Sequence, residues 1–361
     1  MKGIVFTVTN DLSYDQRMIR ICSSLSSAGY QVTLIGCKNK RSVALAPQTF
    51  RQKRLFCFFN SGKLFYAEFN FRLFFSLLFH KADVIGAIDL DTILPCYFVS
   101  KLRSKQRLYD AHELFCEMKE IVSRPFIYKC WKWVERFTIP KFQNGYTVNQ
   151  QIADEFEKMY GVKYAVIRNM PVYRNSSVPE KREKYLLYQG AVNEGRSFET
   201  LIPAMQMVDA QLLICGDGNF MSQAKELARK YQVEDKLIFK GKMLPEDLRK
   251  ITQAAWAGIT LFDAAGKSNY FSLANRFFDY IQAGIPQLCV DFPLYREINN
   301  KHSIAVLTDK LDADSIAQKL NELLSNSELY RQIQNNCLSA RTILCWQEEE
   351  KKLLAFYNTF D

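Results

Sequence analysis

Along the first 150 residues, short apolar runs alternate with stretches whose apolar residues recur every three or four positions, as in a doubly wound α/β sheet. Gly3 to Thr9 reads as a buried first strand, closed by polar Asn10 and Asp11. Asp15 to Ala28 keeps Met18, Ile21, Cys22 and Leu25 at helical spacing until Gly29-Tyr30 stops it, and Gln31 to Gly36 is the next strand. Further on, the pattern predicts a strand at Asp83 to Ala87, a helix at Thr92 to Leu102, and a strand at Arg107 to Tyr109 that runs into Asp110-Ala111-His112-Glu113. A helix at Pro125 to Pro140 and a strand at Gly145 to Val148 complete this half.

From Tyr185 the alternation restarts, which marks a second domain. Strands are predicted at Tyr185 to Gln189, Gln211 to Cys215, Lys236 to Lys240, Gly258 to Phe262 and Gln287 to Val290. Helices fall between them at Phe198 to Met207, Phe220 to Tyr231 and Glu246 to Ala255, and three more follow at Asp314 to Leu324, Ser327 to Leu338 and Gln347 to Asn358. The hinge is placed at Val172 to Lys184, where Pro, Ser, Asn and charges cluster. The divisions are therefore 1–175, 176–343 and a last helix over 344–361. A chain of 361 residues with 48% hydrophobic content suffices for two cores.

Charge is unevenly placed. Residues 1–185 hold 29 Lys and Arg against 16 Asp and Glu, a net +13, whereas residues 186–361 hold 19 against 22, a net −3. A basic first half suits an anionic partner, either nucleic acid or a membrane rich in acidic lipid. No zinc-finger spacing, RNP-type aromatic signature or basic repeat supports nucleic acid. Arg54 to Lys81 interleaves ten aromatic residues with Lys63, Arg72 and Lys81, a composition that fits a membrane interface or the domain's own core. Ten scattered cysteines without a C-x-x-C pair read as reduced thiols, and the N-terminus lacks a secretory signal, so a cytoplasmic protein is expected, with peripheral attachment to the inner face of the membrane as a further candidate.

The richest chemistry lies in Gly266 to Pro286, where a polar loop runs into a helix carrying Asn275, Arg276 and Asp279. Unpaired N–H groups and the positive dipole end of a helix, with Arg276 beside them, make an anion site for which phosphate is the common ligand. Asp279 is one turn on and can accept hydrogen bonds from ribose hydroxyls. A solvated surface helix with an Arg–Asp pair fits the same spacing.

Ser272-Leu273-Ala274-Asn275-Arg276-Phe277-Phe278-Asp279-Tyr280 followed by Ala283-Gly284-Ile285-Pro286 resembles the donor-site segment of the retaining glycosyltransferases of family 4. The family's second glutamate falls on Asp279 and its first on Phe271, which cannot hydrogen-bond a sugar hydroxyl. The resemblance implies a GT-B type fold, α/β with two doubly wound Rossmann-like lobes and a cleft between them. It also implies transfer of a sugar from a nucleoside diphosphate sugar, without a metal or any cofactor beyond that co-substrate. The last helix is expected to cross back to the first domain.

By the same resemblance, Arg196, Arg276 and Asn275 hold the donor diphosphate, and Gly190, Gly216, Gly218, Met243, Leu244 and Asp279 border the nucleotide. His112 and Asp279 are the catalytic candidates, with His112 at the transferred sugar. Asp15, Arg17, Asp89 and Glu113 form the acceptor side. Plain structural roles remain open for several of these: a strand-to-helix turn for Gly216-Asp217-Gly218, a packed loop for Met243-Leu244, a helix cap at Ser13 or Asp15, and another at Asp89 or Asp91 in Asp89-Leu90-Asp91-Thr92, whose sharper reading is an acceptor contact. The implied acceptor is a saccharide or lipid-linked saccharide of surface polysaccharide synthesis. A GT-B type sugar-nucleotide 2-epimerase and a non-catalytic nucleotide-sugar-binding subunit are the other readings.

Overall fold

The computed structural model describes residues 2–360 apart from 41, 176–178, 180, 181, 265 and 266. Gly266 of the donor-like segment and part of the expected hinge therefore lie outside the described residues. The chain divides into two compact units, Met1–Asn169 with Glu349–Asp361 and Met170–Glu348.

The first unit is built on seven strands, β1 (Gly3–Thr7), β2 (Gln31–Lys38), β3 (Arg51–Phe56), β4 (Val84–Ile88), β5 (Gln106–Ala111), β6 (Gly145–Thr147) and β7 (Ala165–Val166). They are ordered β3-β2-β1-β4-β5-β6-β7, and every neighbouring pair is parallel. The second unit holds β8 (Tyr185–Gln189), β9 (Gln211–Cys215), β10 (Leu237–Phe239), β11 (Ala257–Thr260), β12 (Gln287–Val290) and β13 (Val306–Thr308). Its order, β10-β9-β8-β11-β12-β13, is again all parallel. Parallel strands need covering helices on both faces, which favours apolar sequences in the central strands; β1, β4, β8 and β12 are buried along nearly their whole length. In both sheets the direction of winding reverses between the first and fourth strands, β1 and β4 in one unit and β8 and β11 in the other. Ligands bind at such a switch point, outside the carboxyl ends of the strands.

Helix boundaries follow local chemistry. Asp15 accepts from the Met18 N–H at 3.0 Å and starts the helix Gln16–Ser27, as Asn149 does for Gln150–Tyr160. Gly284, at φ +64°, ends Asn275–Ala283 in the left-handed conformation. The terminal residues 349–361 pack in the first unit: Tyr357 is fully buried, its ring lies 6.5 Å from that of Phe6, and its hydroxyl is 3.3 Å from that of Tyr146. Among the described residues, no helix is long and apolar enough to cross a membrane.

Several elements escape the sequence pattern. β3 is an edge strand whose alternate residues Arg51 and Lys53 are exposed, while Arg54 pairs with Asp11 at 3.2 Å, so its charges mask it. The helix Gly62–Leu78 carries apolar residues on every side, interrupted by Lys63, Glu68, Asn70 and Arg72, which hides the helical period. It buries Phe69, Leu73 and Leu77 and leaves Leu64, Phe71 and Phe75 exposed, so part of the Arg54 to Lys81 aromatic stretch is core and part is surface. The helices Gln150–Tyr160 and Pro293–His302 and the short strands β7 and β13 are likewise additions; strands of two or three residues carry almost no period.

In the second unit the loops after β8 and β9 are laced together. The Val192 N–H donates to the Asp217 carbonyl at 3.1 Å, and the Phe220 N–H donates to the Val192 carbonyl at 2.9 Å. A Cβ on Gly216 would sit 1.7 Å from the Gly190 carbonyl oxygen, so this approach requires glycine. Gly216→Ala is expected to lower the stability of the second unit by at least about 2 kcal/mol, since the clash is with backbone. Urea denaturation checks this, and wild-type stability would mean that the two loops part freely.

Candidate active site

In the first unit, charged groups collect at the carboxyl ends of β1, β4 and β5. His112, one residue beyond β5, donates its backbone N–H to Asp89 Oδ1 at 2.9 Å. Its Nδ1 is 3.3 Å from Asp89 Oδ2 and its Nε2 is 3.2 Å from Asp110 Oδ2. A neutral imidazole has one N–H, so only the imidazolium satisfies both carboxylates. Burial opposes that charge, yet Asp89 and Asp110 prevail and raise the His112 pKa to about 9.

Asp110 is fully buried and takes two bonds from Arg17, Nη2 to Oδ1 at 2.8 Å and Nε to Oδ2 at 3.2 Å. Burial pushes its pKa up, but Arg17 and His112 together hold it below the ordinary carboxylate value. Arg17 also donates to the Ile167 carbonyl at 3.0 Å. At 3% exposure Arg17 has no surface to offer an acceptor, and its charge acts outward only through Asp110 and His112.

Asp89 adopts φ +55°, uncommon for a residue with a side chain, and burial raises its pKa to about 6 against the opposing pull of His112. Nearby Glu113, half-buried, adds to that rise. Asp91 is lifted to about 7 by burial and by Asp89, and it accepts from the Thr9 hydroxyl at 2.5 Å, which ties the end of β1 to the end of β4 across the switch point. Asp15 stands apart from this network as a helix cap.

In the second unit, Arg276 occupies the first turn of Asn275–Ala283, a helix whose first-turn N–H groups no capping side chain takes. Its guanidinium turns inward, 4.5 Å from the centroids of both the Tyr188 and Phe262 rings. Nη1 donates to the Tyr188 hydroxyl at 3.2 Å and to the Gln189 carbonyl at 3.4 Å, and Nη2 donates to the Leu261 carbonyl at 3.3 Å. Nε is buried without a partner. Arg276 is 6% exposed and has no carboxylate partner among the described residues, so the fold holds an uncompensated buried cation at the β8–β11 switch point.

Arg196 lies against the same ring, 4.6 Å from the Phe262 centroid, and donates to Asn269 Oδ1 at 2.8 Å. Gly190 is in contact range too, since a Cβ there would come within 3.3 Å of Arg276 Nη1. Asp279 Oδ2 accepts from Gln189 Nε2 at 2.8 Å, and Gln189 Oε1 accepts from the Thr252 hydroxyl at 2.7 Å. Asn275 is exposed at the helix start. The space beside Gly216 and Gly218 is filled by the loop after β8. Met243 and Leu244 stand two strands away, beyond β10; Met243 is half-buried and Leu244 is 49% exposed.

Residues 169–338 match the family model for glycosyl transferases group 1. The second unit belongs to that family. This glycosyltransferase unit and the first unit together resemble several solved structures over essentially the whole chain. A sucrose-phosphate synthase from Thermosynechococcus elongatus is 15% identical with a TM-score of 0.78, and the match covers 100% of this chain and 99% of that one. HepE of Anabaena, in complex with UDP and glucose, is 11% identical at TM-score 0.73, covering 99% and 100%. WaaG, a glycosyltransferase involved in lipopolysaccharide biosynthesis, is 16% identical at TM-score 0.71, covering 97% and 98%. At these identities the likeness shows the fold, which is GT-B type with two Rossmann-like units. No curated protein matches the chain.

Within the glycosyltransferase unit, Phe271 stands half-buried just past the short helix Lys267–Tyr270, its ring 5.5 Å from that of Tyr270. Sequence reasoning missed Tyr188, Gln189, Phe262 and Asn269 here, and in the first unit it named the motifs around Asp110 and Asp91 without giving either residue a role of its own. Most of them sit at or just past a strand's carboxyl end, and that position was the available signal.

Of the three histidines, His80 and His302 have pKa values lowered by burial and neighbouring cations, whereas His112 is raised. Imidazole NMR is expected to show His112 still protonated at pH 8 when the other two are neutral. A pKa raised on folding stabilises the native state fully below the ordinary value of 6.5 and loses that contribution as pH rises through about 9. Wild type should therefore lose on the order of 2–3 kcal/mol relative to His112→Gln between pH 6.5 and 10. A constant difference across that range would show that His112 is neutral.

Proposed function

We propose that the protein is a retaining glycosyltransferase that moves a sugar from a nucleoside diphosphate sugar to a saccharide acceptor carried on a lipid at an anionic membrane surface. The observation that carries the reading is Arg276. Burying a guanidinium without a carboxylate is costly unless an anion completes the site, and the diphosphate of a donor is that anion. The uncapped amino end of Asn275–Ala283 and the guanidinium of Arg196 on the same ring favour the same ligand.

In this reading, Arg196 and Arg276 take up the charge that develops on the leaving diphosphate, fixed donors doing the work of a metal. Asp279, oriented by Gln189, accepts from the ribose. His112 presents a positive imidazolium edge to the transferred sugar and is held in orientation by Asp89 and Asp110. With both ring nitrogens committed to carboxylates, His112 is not a general base. A nucleotide with glucose in HepE and a role in lipopolysaccharide synthesis for WaaG agree with a sugar-nucleotide donor and a surface-polysaccharide acceptor.

Incubation with UDP-, GDP- and ADP-sugars and a lipid-linked oligosaccharide is expected to release nucleoside diphosphate and extend the acceptor with retained anomeric configuration. An isomerised sugar instead would identify an epimerase, and binding without turnover a non-catalytic subunit. Arg196→Gln should weaken diphosphate binding about ten- to a hundredfold, the loss of one charge-assisted contact, with thermal stability little changed. Calorimetry giving wild-type affinity would remove Arg196 from the site.

A further inference from the structure

A second cationic feature lies at the opposite, amino-terminal edge of the first sheet. A groove of about 500 Å³ opens there between the starts of β5 and β6, lined by Tyr97, Lys101, Lys105, Arg107 and Lys141 with amides from Gln106, Gln143 and Asn144. No carboxylate lines it. Lys105 pairs with Asp83 at 3.2 Å, while Lys101, Arg107 and Lys141 have no carboxylate partner among the described residues. The Arg107 guanidinium carbon and Lys141 Nζ lie 5.3 and 5.6 Å from the Tyr97 ring centroid, and Lys141 Nζ is 3.9 Å from that of Phe137.

Those rings continue outward as a ladder. Tyr97 meets Phe137 at 5.4 Å and Phe98 at 5.2 Å, and Trp133 stacks on Phe137 at 5.5 Å with the planes 1° apart. Its outer members are bare: Trp133 is 62% exposed and Phe98 46%, as is Leu102, one residue past Lys101, at 68%. Arg103 extends the surface by donating to the carbonyls of Leu77 and His80, which brings Phe79, 81% exposed, to the same end of the sheet. Exposed aromatic and aliphatic side chains around unpaired cations match the two layers of an anionic bilayer surface, hydrocarbon boundary and phosphate.

We propose that this groove and its aromatic rim dock the first unit on an anionic phospholipid surface, phosphate headgroups entering among Lys101, Arg107 and Lys141 while Trp133, Phe98 and Leu102 enter the interface. The inference rests on the membrane part of the function proposed above and replaces the Arg54 to Lys81 stretch as the principal contact. At about 3.3 Å per residue, the six residues of β5 keep His112 roughly 20 Å from this edge. The acceptor reached there is then a sugar held above the headgroups rather than a headgroup.

The test is co-sedimentation of the full chain with phosphatidylcholine vesicles, with and without phosphatidylglycerol. Wild type is expected to pellet with anionic vesicles only, and less as salt rises. Lys101→Glu combined with Trp133→Ser, both exposed positions, should weaken that binding at least tenfold with the circular dichroism unchanged. Lys230→Glu in the second unit, the same change in net charge, and Lys63→Glu in the Arg54 to Lys81 stretch should change it less than threefold. If wild type binds anionic vesicles and the double variant binds as tightly, the groove is not the docking site although the membrane reading stands. If wild type fails to bind anionic vesicles at low salt, or binds neutral ones equally, the membrane reading falls with it, and turnover on soluble acceptors still tests sugar transfer separately.

Discussion

A parallel sheet brings the carboxyl end of every strand, and the amino end of each helix that follows, to one edge. The charged clusters at the two switch points depend on that constraint. Asp89, Asp110 and His112 come from β4 and β5, and Gly190, Phe262 and the helix bearing Arg276 come from the connections after β8 and β11. Each strand is buried and has no freedom to bend towards a ligand, so the groups just past it are fixed in register by the ladder itself. The reversal of winding between β1 and β4, and between β8 and β11, then opens the one place along each edge where successive connections diverge.

The two units handle buried charge in opposite ways. In the first, Arg17, Asp110, His112 and Asp89 alternate in sign, so each carries its neighbour's compensation and the network is complete within the protein. Such a network orients a side chain without needing a ligand. In the second, Arg276 is surrounded by two aromatic rings, a phenol and two carbonyl oxygens, which solvate a cation but do not neutralise it. The first cluster balances its own charge, whereas the second leaves a buried positive charge open to an anion.

Glycine at position 216 belongs to the same economy of space. The loops after β8 and β9 touch through their backbones and are braced by two side chains, Asn219 Oδ1 accepting from the Glu194 N–H and Asn193 Oδ1 from the Asn219 N–H, each at 3.1 Å. In the sugar transfer proposed above, rigidity there matters because fixed donors stabilise a developing charge without reorganising.

The sequence by itself determined the class of fold and the place of the donor-like segment. Unbroken apolar strands such as Tyr185–Gln189 and Gln287–Val290, with Gly284 closing Asn275–Ala283, are local signals whose periods and caps survive without knowledge of neighbours. Asp15 and Asn149 likewise announce their helices through bonds three residues long. What only the tertiary structure decided is which charges meet. Arg17 and Asp110 are 93 residues apart in sequence, and Gln189 and Asp279 are 90, so no period or spacing relates them. Arg17, expected on the acceptor side, is a buried brace because β5 ends beside the helix that carries it. The groove at Lys101, Arg107 and Lys141 is of the same kind: three scattered bases become one site because parallel pairing sets the starts of β5 and β6 side by side.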